Sequence, residues 1–386
     1  METEVTEKIA VNPFDIHVPE DVLTDLRHRL KRTRWIEDLD DGGWKHGVSL
    51  NYLKEFVQYW MDSYNWRAQE EKLNLFNQYR AMIEDCDIHF IHEKSDHPDA
   101  IPILLLHGWP DSFYRFHKII PMLTDQSFDV VVPSQPGFGF THDMQQDEIM
   151  KPIQRSARLM HTLMTDVLGY NRFIAVGGDG GSPLAQRIAI DNPGSLIGIY
   201  LNDLGWSNTD IDPSTMSAKE KKYFDAKQKE FMKESAYVMV HATKPQTLSY
   251  SLADSPVGLA SWILDRFYFW CDCKEGDIEA SFSRDDLITN IMIYWVTNTI
   301  GSSIRGYRTE TKSPSLTSKD RVDVPVGLGL FPKDIGGIPP RELAERTLNV
   351  VYWNEMPRGG HFTAWEEPNL MAEDIVSFVK KIREIK

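Results

Sequence analysis

The chain is poor in cysteine, with three in 386 residues, and short of positive charge, with 42 Lys and Arg against 57 Asp and Glu. The thiols of Cys86, Cys271 and Cys273 are odd in number, and two of them stand two residues apart. A disulfide framework is not expected from that pattern; separate thiols in a reducing compartment are. No His/Cys cluster with zinc spacing accompanies Cys271 and Cys273, so no metal is expected. The formal net charge of −15 argues against nucleic acid and anionic membrane surfaces as partners. Apolar runs of about 18 residues are missing, and METEVTEKIAVNPFDIHV has neither the basic start nor the apolar stretch of a signal. A cytoplasmic protein with no integral membrane segment follows as an expectation. Repeats and low-complexity tracts are lacking too. Assembly as a homo-oligomer is left open by the sequence.

What the chain does have is a change of rhythm. Up to residue 85 it reads mostly as polar, aromatic-rich helices, with Leu23, Leu26 and Leu30 at helical spacing. This predicts an N-terminal helical arm over 1–85, packed on a larger body. From residue 86 strands and helices alternate. IHFIHEK has a strand's period, while IPILLLHGW and DVVVPSQPGFGF are continuous apolar runs of the kind buried on both faces of a parallel sheet. Residues 207–320 break the alternation with helical, aromatic-dense sequence, and strands resume at RVDVPVGLGLFPKDI. An α/β class follows: one mostly parallel sheet built from 86–206 and 321–386, with a helical lid, 207–320, inserted after strand 6. Such a lid covers the strands' C-terminal ends, where open α/β sheets bind ligands.

The chemistry starts at FIAVGGDGGSPLAQRIAI, a strand, a knot of glycines and a helix. Gly177 to Gly181 match G-x-nucleophile-x-G, the elbow of the α/β-hydrolase fold, with Asp179 in place of serine. The plainer reading is a glycine turn with a helix-capping aspartate. G-x-G-x-x-G spacing is missing both here and in PGFGF, so no dinucleotide cofactor is expected, nor any other. HGWPDS closes the ILLL run and would aim the Trp109 N–H at an oxyanion, with the Gly180 N–H as its partner. His361, in RGGHFTAWEEP, lies downstream of Asp179 in the order nucleophile, acid, histidine. Asp334, in LGLFPKDI, is the favoured acid; Asp203, in YLNDLGW, is the second candidate.

A carboxylate nucleophile narrows the reaction. Serine attacking a saturated carbon would leave an ether that water does not readily cleave. Aspartate leaves an alkyl ester, which a histidine-activated water can hydrolyse. Displacement at sp³ carbon is therefore expected, of an epoxide oxygen or a halide. A departing alkoxide needs a donor, and phenols suit that task. The lid offers several, including Tyr237, Tyr250, Tyr268, Tyr294 and Tyr307.

Taken together, the N-terminal FDIHVPEDVLTDLRHRL, HGWPDSFYRFHKIIP, the elbow, ATKPQTLSYSLADSPVGLASWIL, LFPKDI and RGGHFTAWEEP resemble the microsomal and juvenile-hormone type of epoxide hydrolase. The resemblance spans almost the whole chain. It implies a cofactor-independent hydrolase converting lipophilic epoxides and water to vicinal diols. It implies Asp179 as nucleophile, His361 as base, Asp334 as acid, and Tyr237 and Tyr307 as the pair that holds the epoxide oxygen. Two departures stand out: Gly180 replaces the tryptophan that often follows the nucleophile, and the membrane helix of microsomal and insect relatives has no counterpart. The rival readings are a haloalkane dehalogenase with the same triad and a ligand-binding protein that does not turn over.

Overall fold

The computed structural model describes residues 9–37, 39, 43–143, 152–205, 210–310 and 316–384. Ten strands form one sheet: β1 (Val11–Pro13), β2 (Gln78–Ile83), β3 (Cys86–Glu93), β4 (Ile101–Leu106), β5 (Phe128–Pro133), β6 (His142–Asp143), β7 (Phe173–Gly177), β8 (Leu196–Leu201), β9 (Val322–Leu330) and β10 (Leu348–Glu355). Their spatial order is β1-β2-β3-β5-β4-β7-β8-β9-β10, with β6 on β3. The six strands from β5 to β10 along that order run parallel, and the β1–β3 end is antiparallel. β4 lies between β5 and β7, which explains its unbroken apolar run. Ile103 and Leu105 enter the core on one face, Leu104 and Leu106 the core on the other.

Helices supply the covering layers. The arm holds α1 (Glu20–Lys31), α2 (Leu50–Asp62) and α3 (Trp66–Leu73); the sheet is covered by α4 (Ile119–Thr124), α5 (Pro152–Thr162) and α6 (Gly181–Asp191). Among the described residues, seven α-helices stand between β8 and β9: α7 (Ala218–Glu234), α8 (Ala236–Thr243), α9 (Pro245–Asp254), α10 (Pro256–Trp270), α11 (Arg284–Thr297), α12 (Ile300–Ser303) and α13 (Gly306–Glu310). Then come α14 (Arg341–Glu345), α15 (Thr363–Glu366) and α16 (Pro368–Glu384). With the three-residue β1 and two-residue β6 left out of the count, β8 is the sixth strand, the expected point of insertion. Leu23, Leu26 and Leu30 are buried on α1, and Arg29 on its other side reaches the Asp254 carboxylate of the lid at 2.7 Å. Among the described residues no helix is long and apolar enough to cross a membrane.

Two expectations are corrected. The sheet begins before residue 86: β2 pairs antiparallel with β3 through a tight turn in which Glu84 has φ 53°. Its sequence, QYRAMI, mixes polar and apolar residues because its faces are unequally covered, so it lacks the apolar run that marks β4. Cys271 and Cys273 are joined as a disulfide instead of standing as separate thiols, and Cys86 is the buried free thiol. The Cα atoms of Cys271 and Cys273 stand 5.2 Å apart, inside the span of a disulfide.

Backbone packs closely on backbone where β7 turns into α6. A Cβ on Gly181 would stand 2.0 Å from the Leu106 carbonyl oxygen, and one on Gly177 would stand 2.2 Å from the Gly181 carbonyl oxygen. Both obstacles are backbone and cannot rotate away. Gly181→Ala is accordingly expected to cost about 3 kcal/mol or more. A thermal melt within about 2 °C of the unaltered protein would show that the helix can back off the strand.

Candidate active site

The elbow forms because β7 ends in glycines that let α6 cross close above β4. At the tip Asp179 takes φ 53°, a left-handed conformation costly for any residue with a Cβ. Two backbone contacts hold it there. Its own N–H donates to Asp203 Oδ2 at 2.7 Å, and its Oδ1 accepts the Trp109 N–H at 2.8 Å. The Gly180 N–H is a second donor to the carboxylate. Gly108 makes room for this approach, since a Cβ there would overlap Asp179 Oδ1 at 2.1 Å. One carboxylate oxygen thus accepts the Trp109 N–H, and the other faces the histidine.

His361 Nε2 lies 3.3 Å from Asp179 Oδ2, within ion-pair range but off the line of a hydrogen bond. Its Nδ1 bonds Asp334 Oδ1 at 2.6 Å. Burial by itself would lower the His361 pKa, but the Asp334 charge and the contact with Asp179 outweigh it and raise it to about 10. The resting ring is therefore an imidazolium at neutral pH. Burial alone would likewise raise the Asp179 pKa; His361 and the N–H groups of Trp109 and Gly180 reverse this and hold it below the usual carboxylate range.

The loops that carry these groups are tied by buried charge. Asp111 Oδ1 accepts the Gly108 N–H at 2.9 Å, its other oxygen pairs with Arg115, and Arg115 Nη2 donates to the His361 carbonyl at 2.6 Å. Arg115 and Asp111 are both about 1% exposed. On the far side of the histidine, the Glu366 carboxylate accepts the N–H groups of Gly360, Phe362 and Asp272 at 3.1, 2.8 and 2.6 Å. Burial pushes its pKa up to about 7 despite those donors.

Of the six lid tyrosines, Tyr237 and Tyr307 are the two brought together over Asp179. Their rings lie 6.0 Å apart, the phenols hydrogen-bond each other, and both line the same cavity as Asp179 and His361. Burial pushes both phenols up, and the Asp179 charge adds to it. Tyr237 stacks on Trp109, centroids 5.6 Å apart and planes 9° from parallel. Tyr294 instead hydrogen-bonds the Asp111 carbonyl, Tyr268 stacks on Trp44, and Tyr250 is mostly exposed at the rim. The cavity encloses about 1170 Å³, ample for a drug-sized molecule. Among the described residues there is no group of three or more His, Cys, Asp or Glu suited to a metal.

Asp334, not Asp203, partners the imidazole. Asp203 accepts the Asp179 N–H with one oxygen and the Gly205 N–H, 2.6 Å away, with the other. Burial and then the Asp334 charge push its pKa up to about 6. Its sequence signal, an aspartate just after a strand, is the same as that of a triad acid; only the fold separates the two roles. Arg115 and Glu366 carried no signal beyond their place near HGWPDS and RGGHF.

A family model described as the epoxide hydrolase N terminus matches residues 11–116, and one for the alpha/beta hydrolase fold matches 101–260. Epoxide hydrolase 1 of Oryctolagus cuniculus is 35% identical, over 96% of this chain and 89% of its own length. Juvenile hormone epoxide hydrolase 2 of Ctenocephalides felis is 34% identical, over 96% and 86%. The solved structure of Aspergillus niger epoxide hydrolase superposes with a TM-score of 0.85 at 29% identity, covering 97% of each chain.

Two outcomes check the electrostatics. Because folding raises the His361 pKa from 6.5 to about 10, its pairing stabilises fully below about pH 6.5 and is lost as pH rises toward 10. The Tm of the unaltered protein, measured against His361→Gln, is expected to fall across that window; a difference flat with pH would refute the charged resting state. Asp203→Ala leaves the Asp179 and Gly205 N–H groups without their acceptor. It is expected to cost about 1–3 kcal/mol by chemical denaturation and to slow turnover at least tenfold. Full activity would mean the elbow holds its shape without it.

Proposed function

The chain belongs to the epoxide hydrolase family of the α/β-hydrolase fold, and on that premise we propose that it opens lipophilic epoxides through a covalent ester on Asp179. The observation that carries this reading is the division of labour between the two Asp179 oxygens. Oδ1 accepts the Trp109 N–H, so Oδ2, beside His361, is the oxygen left to attack.

An epoxide carbon enters in line with Oδ2 while the Tyr237 and Tyr307 phenols hold the ring oxygen. The new C–O bond forms, the ring C–O bond breaks, and a phenol proton passes to the departing oxygen. Asp179 has now lost its charge. His361 thereby loses one of the two carboxylates that kept it protonated, its pKa falls, and its proton returns to the phenolate. The neutral ring, oriented by Asp334, then draws a proton from water as that water attacks the Asp179 carbonyl carbon. Negative charge develops on Oδ1, already held by the Trp109 N–H, with the Gly180 N–H a second donor to the same group. Collapse frees the diol and restores the carboxylate and the imidazolium. The sum is epoxide plus water giving diol, with no net change in the protein.

Paired phenols favour an alkoxide leaving group over a halide. The site has room for a bulky substrate: Gly180 has φ −59°, and a Cβ there would meet its nearest neighbour, Gly108 Cα, at an ordinary 3.6 Å. The missing side chain therefore leaves open space beside the nucleophile, which suits a large apolar epoxide.

A single turnover in ¹⁸O water tests the covalent route. Label is expected in Asp179 after the first cycle, with unlabelled diol, because the protein's own oxygen is the one transferred. Label in the first diol and none in the protein would mean that water attacks the epoxide directly.

A further inference from the structure

Arg266, on α10, is a cation that neither the triad nor the oxyanion hole accounts for. It is only 6% exposed. Its guanidinium carbon lies 5.1 Å from the Tyr237 ring centroid, and 5.6 and 5.5 Å from those of Phe269 and Trp270, so it sits in a box of three aromatic rings. Lid groups hold all three of its nitrogens, Nη2 pairing with Asp265 alongside Nε. Nη1 donates to the Glu234 carbonyl at 3.1 Å and to its carboxylate at 3.2 Å, and Nε donates to Asp265 Oδ2 at 3.0 Å. Removing a guanidinium from water for structural purposes alone is a poor trade, since an apolar side chain would fill the same box.

Resting on the mechanism above, we propose that Arg266 is a positioning residue for the chemical step: its charge against the Tyr237 ring makes that phenol the stronger proton donor to the opening epoxide. When the ring opens, the carbon–oxygen bond of the epoxide breaks, the Asp179 Oδ2–carbon bond forms, and the Tyr237 proton goes to the alkoxide. The negative charge moves from Asp179, beside His361, to the Tyr237 oxygen. There the cation against the ring is Arg266. Two features otherwise work against that transfer. Burial disfavours a phenolate, and the Asp179 carboxylate repels one until it is esterified; Arg266 opposes both. Trp109 packs against the same ring, so the phenol is held in place while the charge acts on it.

Rapid-quench mass spectrometry of the ester on Asp179 separates this inference from the mechanism on which it rests. If no ester forms in the unaltered enzyme, the covalent mechanism itself fails. If it forms, Arg266→Met is expected to slow its formation at least tenfold, to leave its hydrolysis within twofold, and to change KM little. Arg266→Lys, which keeps the charge, is expected to stay within about threefold. The deficit of Arg266→Met should be larger for an aliphatic epoxide than for an aryl epoxide, whose opening needs less help from an acid. In a Tyr237→Phe background Arg266→Met should have no further effect. An equal loss in that background, equal slowing of both steps, or a rate like that of the unaltered enzyme would overturn the proposal. Should Arg266→Met not fold, Arg266→Gln, which retains a donor for Glu234, makes the same comparison.

Discussion

Everything at the catalytic end of this molecule depends on one residue with a side chain being kept in a left-handed turn. Asp179 pays for that conformation with backbone strain, and its neighbours supply the compensation. Asp203 takes its N–H, Trp109 and Gly180 donate to its carboxylate, and the absence of Cβ atoms at Gly108, Gly177 and Gly181 lets the surrounding backbone come close enough to do so. The same closeness delivers the oxyanion donors. The strained turn and the anion pocket are therefore one construction, and neither can be loosened alone.

Around that turn the protein buries an unusual density of charge. Asp179, Asp203, Asp334 and His361 lie within one another's fields, with Arg115 and Asp111 behind them and Glu366 beyond the imidazole. Buried ions are expensive unless every lone pair and proton is used. Here each carboxylate of the set accepts at least one backbone N–H or contacts the imidazolium, and the Arg115 guanidinium binds the loops of Asp111 and His361 to each other. That satisfaction makes the arrangement rigid. It also makes it responsive, because neutralising Asp179 removes half of what holds the proton on His361. In the proposed mechanism, protonation of His361 is thus coupled to the state of Asp179 without any movement of the chain.

Much of this was legible in the residues. The apolar run of β4, the glycine knot and the order of Asp179, Asp334 and His361 are local or ordinal signals, and they survive without coordinates. The two catalytic-end tyrosines were not of that kind. Nothing local distinguishes Tyr237 and Tyr307 from Tyr294 or Tyr268; only resemblance to a family singled them out. Asp203 and Asp334 each follow a strand, and sequence alone left both eligible to partner the histidine. The start of the sheet was misjudged because β2 lies near an edge, where mixed polarity is tolerated. The bond between Cys271 and Cys273 was missed because it depends on how the chain leaves α10.

Sequence by itself determined the class of architecture, the position of the lid in the chain and the aspartate at the tip of the elbow, because each is written in periodicity, glycine content or residue type over a few positions. Tertiary structure alone decided which carboxylate meets which nitrogen, which phenols overlook the cavity and which cation lies against Tyr237. Those pairings join residues 27 to 182 positions apart, and contacts across such distances are set by the packing of whole helices on a sheet, which no local pattern records.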